Sequence, residues 1–148
     1  FSVDPDLNTV ADALVELILG ANSRIWIASG HLRSRPISEA LLWKAATQPE
    51  IDIRVYLDGQ EYISRSGQDY QDAKLASCLE AAAEHEAKVR DCMNKGYRWS
   101  LTIHEADIPV RFKYYAYRWH YSYAKQMHHK FMVIDGDELW IKVEIPIG

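Results

Sequence analysis

The sequence predicts an α/β fold, with a mixed, largely parallel β-sheet flanked by helices. Three observations point there. The first sixty residues run helix, strand, helix, strand, the rhythm of a sheet with crossover helices. Ile51, Ile53, Val55 and Leu57 alternate strictly, as one buried face of a strand does. Residues 127–134 are apolar on both faces of an extended chain, the pattern of a central strand.

Each element has a local reason. Asp4-Pro5 reads as an N-cap followed by proline at the first helical position. Leu7, Val10, Leu14, Leu17 and Ile18 follow at helical spacing, and Gly20 ends the run. Arg24 to Ser29 (RIWIAS) is short and rich in strand formers. Gly30 to Arg35 turns, and Pro36 opens a second helix over Ile37 to Ala46. The second strand ends at the turn Asp58-Gly59, and the polar stretch Gln60 to Gly67 is expected to be mobile. Asp69 to Gly96 favours helix throughout and is divided into two helices. Trp99 to His104 and Pro109 to Tyr114 read as strands, Met127 to Ile134 as another, and Leu139 to Val143 as its return after Asp135-Gly136-Asp137.

A length of 148 residues suits a single domain. A net charge of −4 argues against a diffuse, salt-driven grip on nucleic acid, although a local basic groove is compatible with it. No apolar run reaches the roughly 20 residues of a membrane-spanning helix. Phe1 stands where a Met would begin a new chain, as in a processed or trimmed form. Cys78 and Cys92 match no metal-site spacing, so no metal or other cofactor is expected. They are either two free thiols or one disulfide. One straight helix would hold them about 21 Å apart, so a bridge requires a break near Glu84 to Glu86. A bridge would also imply an oxidising compartment, secreted or periplasmic.

The chemistry is concentrated in residues 127–140, MHHKFMVIDGDELW, which contain His128-x-Lys130-x4-Asp135. Residues two apart on a strand share a face, so His128 and Lys130 point the same way and His129 points opposite. Asp135 follows the strand, where a turn could return a carboxylate towards the site. A neutral imidazole can attack phosphorus. A neighbouring ammonium group can hold the non-bridging oxygens and balance their growing charge. A carboxylate can fix the imidazole tautomer.

The segment MHHKFMVIDG resembles the HKD motif of the phospholipase D superfamily, including the apolar stretch between Lys and Asp and the Gly after Asp. The upstream pattern of helix, RIWIAS, ISEALLWKA and IDIRVYLDG is similar too. The resemblance implies a phospholipase D-like half-domain over residues 1–148, with residues 60–97 as a helical insertion. It implies a covalent phosphohistidine: His128 as nucleophile or acid/base, Lys130 on phosphate, and Asp135 supporting a histidine. Two features depart from the family. There is one motif, whereas family sites use two, from a second half or a homodimer partner. The following strand reads Leu139-Trp140-Ile141-Lys142-Val143-Glu144 where the family usually has a Gly-Ser-x-Asn stretch. The chain also ends soon after Asp135, where family domains usually continue, so an incomplete C-terminus is expected.

Tyr115, Tyr117, Trp119, Tyr121 and Tyr123 alternate just before the motif, with Arg118 and His120 between them. They can pack on the core or form a cleft rim that stacks bases, holds a quaternary ammonium or meets a membrane interface. Trp119, His120 and His31, which follows the first strand, are the substrate-binding candidates. The leading expectation is cleavage of a phospholipid. Nuclease activity and a non-catalytic phosphate-binding module are the alternatives.

Overall fold

The computed structural model of the protein describes residues 9–94, 96–113, 130–136 and 140–142. In chain order these form α1 (Thr9–Gly20), β1 (Arg24–Ser29), α2 (Arg35–Thr47), β2 (Asp52–Leu57), a 3₁₀ turn (Gly59–Glu61), α3 (Arg65–Ala82), α4 (Glu86–Asn94), α5 (Ser100–Glu105), β3 (Val110–Phe112), β4 (Phe131–Ile134) and β5 (Trp140–Lys142). The strands make one five-stranded sheet in the order β3-β2-β1-β4-β5. β1 pairs in parallel with β2, and β2 with β3. β4 runs antiparallel to both of its neighbours, β1 and β5. Four strands therefore point one way, and the mixed, largely parallel sheet expected from the sequence is present. The Asp4-Pro5 cap lies outside the described residues.

One face of the sheet carries the core. Ile25, Ile27, Ile53, Val55, Met132 and Ile134 are buried there with Leu14 and Ile18 of α1 and Ile37 and Leu41 of α2. Pro36 stands in the first turn of α2, where its missing N–H costs nothing. Lys44 of α2 is buried and donates to the Leu19 carbonyl (2.9 Å), satisfying an acceptor in the last turn of α1. The other face carries Trp26, Arg54, Tyr56 and Arg111, the last three exposed. Trp26 lies between the guanidinium groups of Arg24 and Arg54, 4.6 and 4.7 Å from its ring centre. No described helix is long and apolar enough to cross a membrane.

Two sequence expectations change. Trp99–His104 is not a strand; residues 100–105 form α5. Thr102 and Ile103 favour extended chain on their own. Ile103 is fully buried in the core, however, and the Ser100 hydroxyl donates to the Glu61 carbonyl. Tertiary packing of this turn outweighs the local preference. The stretch Gln60–Gly67 is likewise built rather than loose. It holds the 3₁₀ turn, and the Ser64 hydroxyl accepts from the Gly67 N–H (3.2 Å) to cap α3.

The divided helix does occur, with α3 and α4 separated at residues 83–85. Ala83 takes a φ of 50° at the break. This reversal brings the two Cα atoms of Cys78 and Cys92 to 5.8 Å, and the thiols form a disulfide.

Candidate active site

The C-terminal ends of β1, β2 and β3 and the start of β4 meet at one edge of the sheet. Ala28 pairs with Phe131, and Leu57 pairs with Phe112. Lys130 immediately precedes Phe131. Strand alternation puts it on the face of Met132, the helix-covered face. It is half-buried, and its ammonium makes no ion pair or hydrogen bond with the described residues. A half-buried cation at a sheet edge is suited to hold an anionic oxygen.

His31 leaves β1 at the same edge. The Ser29 hydroxyl, fully buried, donates to the His31 carbonyl (2.7 Å) and accepts from its N–H (3.4 Å), which fixes the turn. The imidazole Nδ1 lies 2.7 Å from the Oε1 atom of Glu61, whose side chain is only 1% exposed. Arg33 donates from Nε to the same oxygen (2.9 Å), and Arg98 Nε lies 3.7 Å from Oε2. One buried carboxylate is thus surrounded by two guanidinium groups and an imidazole, leaving the cluster with net positive charge. Burying Glu61 without such partners would be costly.

Neither Glu61 nor the two arginines were identified from the sequence, because nothing local announces which loops converge. The available signal was position: Glu61 follows the end of β2, where ligands of open α/β sheets are bound.

Asp135 stands elsewhere. It follows the far end of β4, about 16 Å along the strand from Lys130 at 3.3 Å per residue. Its Oδ1 accepts the N–H groups of Asn22 and Ser23 (both 2.7 Å) and of Arg24 (3.3 Å), with the Ser23 hydroxyl at 3.3 Å. Its own N–H donates to the Arg24 carbonyl (2.9 Å). Burial alone would raise the carboxyl pKa. The N–H groups of Ser23, Asn22 and Arg24 outweigh it and hold the group below the usual aspartate range. Its φ of 58° is one that aspartate tolerates better than most residues. The expected return of this carboxylate towards the site does not occur: because β4 is antiparallel to β1, the turn after β4 delivers Asp135 to the start of β1.

The structure therefore brings His31 and Lys130 to one edge and sets Asp135 at the other. His128, Trp119 and His120 lie outside the described residues, as does His129. Among the described residues, no cluster of His, Cys, Asp and Glu could hold a metal ion. An open cavity of about 540 Å³ lies on the Trp26 face, against Arg54, Tyr56, Arg111 and Phe131. No carboxylate, histidine, serine or cysteine lines it.

Residues 14–141 match the model of the family described as cardiolipin synthase, PLD-like domain. No curated protein matches the chain.

Proposed function

The chain belongs to the phospholipase D superfamily, whose chemistry is of the phosphodiesterase type, and from that premise we propose that it cleaves a phospholipid through a phosphohistidine intermediate. The observation that carries this reading is Lys130: an ammonium group without an ion partner among the described residues, at the sheet edge beside the cationic Glu61 cluster. Lys130 holds the non-bridging oxygens and offsets the charge that develops on them. His128, two residues earlier in the motif, supplies the imidazole that attacks phosphorus. Trp119 and His120 contact the remainder of the substrate. Residues 60–97 are an insertion in the domain, of which the α3–α4 hairpin stands apart from the chemistry while Glu61, at its start, borders the site. In the family a second motif, from another half or a second copy, supplies the acid for the leaving group.

The family's description favours a lipid substrate, and so does the net charge of −4. The Cys78–Cys92 disulfide supports an oxidising compartment. Nuclease activity is the second reading, favoured by the single motif in a compact chain. Incubation with a choline phospholipid and with a short single-stranded DNA, both under chelator, separates the two.

His128→Ala is expected to lower turnover by about three orders of magnitude or more while leaving the unfolding temperature unchanged. Acid-quenched protein after reaction with labelled substrate should carry phosphate on the wild type and none on the variant. Turnover within tenfold of wild type removes His128 from the reaction.

A further inference from the structure

The sheet face opposite the core carries an open cavity of about 540 Å³ that the proposed reaction does not use. We propose that it binds a single-chain amphiphile with an anionic head group, the chain lying over Ala28 and the head group on Arg54 and Arg111. The site is built from its own residues and does not rest on the phosphodiesterase reading.

Three observations carry it. The first is shape. Phe131, Ala28, Tyr56 and Arg111 are register partners across β4, β1, β2 and β3, so they form one row on the sheet. Adjacent strands stand about 4.8 Å apart, so the two aromatic residues rise about 10 Å apart with only the Ala28 methyl between them. Ala28 is thus the floor of a slot, and Trp26, two residues earlier on the same strand, stands at one end of it. The volume of about 540 Å³ falls within the roughly 300–1,000 Å³ of small-molecule sites.

The second is the state of Trp26. The guanidinium groups of Arg24 and Arg54 lie 4.6 and 4.7 Å from its ring centre. Its Nε1–H donates to Asp52 Oδ2 (3.1 Å). The π surface of the ring is taken up by cations, so it is not a platform for a nucleic-acid base. The indole instead forms a fixed wall. A wall held in place before the ligand arrives lowers the cost of binding.

The third is charge. Arg54 and Arg111 line the cavity, and no carboxylate does. Arg54 lies two residues before Tyr56, the partner of Arg111, so the two arginines are diagonal neighbours whose long side chains can reach one anion. Arg54 gives its Nε–H to Asp52 Oδ1 (2.9 Å), and Arg111 donates from Nη1 to the Val110 carbonyl (3.1 Å). Their other N–H groups have no acceptor among the described residues. Planar guanidinium groups in this state suit a phosphate or carboxylate. The β2–β3 side of the cavity is therefore cationic and the β4–β1 side apolar, the polarity of an amphiphile.

The test is calorimetric titration of the full chain with dodecyl phosphate below its critical micelle concentration. Inorganic phosphate, dodecyltrimethylammonium and a short single-stranded DNA are titrated beside it. One dodecyl phosphate should bind per chain, about tenfold or more tighter than inorganic phosphate or the cationic surfactant. Ala28→Leu, which fills the slot, should weaken binding by about tenfold or more. Arg111→Gln should weaken it by about tenfold and narrow the gap between the anionic and cationic surfactants. Arg111 is exposed on an edge strand, so its variant keeps the test decisive even where Ala28→Leu is destabilised. Absence of saturable binding, equal binding of the cationic surfactant, or binding unchanged by Arg111→Gln overturns the proposal. Tighter binding of the DNA that the same substitutions weaken overturns it as well, because the face would then serve nucleic acid. Binding lost in Lys130→Met and kept in Arg111→Gln overturns it too, because the head group would then lie at the Lys130 edge. All of these are binding measurements, whereas the phosphodiesterase reading stands or falls on turnover.

Discussion

Lys130 and Asp135 belong to one short sequence motif, yet they stand at opposite ends of β4 in different surroundings. At the Lys130 end, strands stop, loops converge, and Arg33, Arg98 and His31 gather around the buried carboxylate of Glu61. The arrangement leaves charge available for a ligand. At the Asp135 end the charge is consumed: three N–H groups and a hydroxyl converge on one oxygen. These contacts join the end of β4 to the start of β1 and fix their register. A one-residue slip between these strands would turn Lys130 away from the helix-covered face. The carboxylate of the motif thus holds the strand that carries Lys130, rather than standing beside it.

The comparison is sharpened most by Lys130→Met, which keeps the length and apolar stem of the side chain and removes its charge. Turnover should fall by about 10³-fold, with the unfolding midpoint in urea within about 0.5 kcal/mol of wild type. A large loss of stability with little loss of rate would reverse the roles assigned to the two ends. An intermediate test concerns neither end. Replacing Cys78 and Cys92 together by serine removes the bridge of the α3–α4 hairpin. Loop-closure entropy for a loop of this size is worth about 3 kcal/mol. Proteolysis within 65–94 should become faster, while turnover measured well below the unfolding temperature should stay within about twofold of wild type.

Much of the scaffold was legible because its signals are local. β1 has the bounds expected for RIWIAS, and the alternation from Ile51 to Leu57 reports the buried face of β2 directly. The division of residues 69–96 into two helices was expected, but the cysteines located the break only on condition that they were bridged, which the spacing left open. What could not be read depended on direction and on distant partners. Spacing alone does not say whether the turn after β4 brings Asp135 back or carries it onward; that follows from the antiparallel pairing with β1. Glu61 looked like part of a polar loop because its partners His31, Arg33 and Arg98 come from two other segments of the chain. α5 was hidden because its strand-favouring residues are outweighed by the burial of Ile103 and Ser100.

The smallest expected effect is the most direct test of the locking end. Asp135→Asn keeps the size of the side chain and one carbonyl oxygen to accept the amides of Asn22 and Ser23, but it removes the charge that strengthens those bonds. A loss of about 1–2 kcal/mol at neutral pH is expected, with turnover below the unfolding temperature unchanged within about twofold. The sign of the pH dependence separates charge from shape. The folded-state pKa of Asp135 is lowered. Its contribution is therefore complete above the unfolded aspartate value of about 3.9 and is lost as pH falls through the lower folded value. Denaturant midpoints of wild type and variant should differ at pH 7 and converge as the pH drops below about 4. A gap that persists at acid pH would mean that packing at the turn, rather than the carboxylate charge, holds β4 to β1, and the division between the two ends would then rest on Lys130 alone.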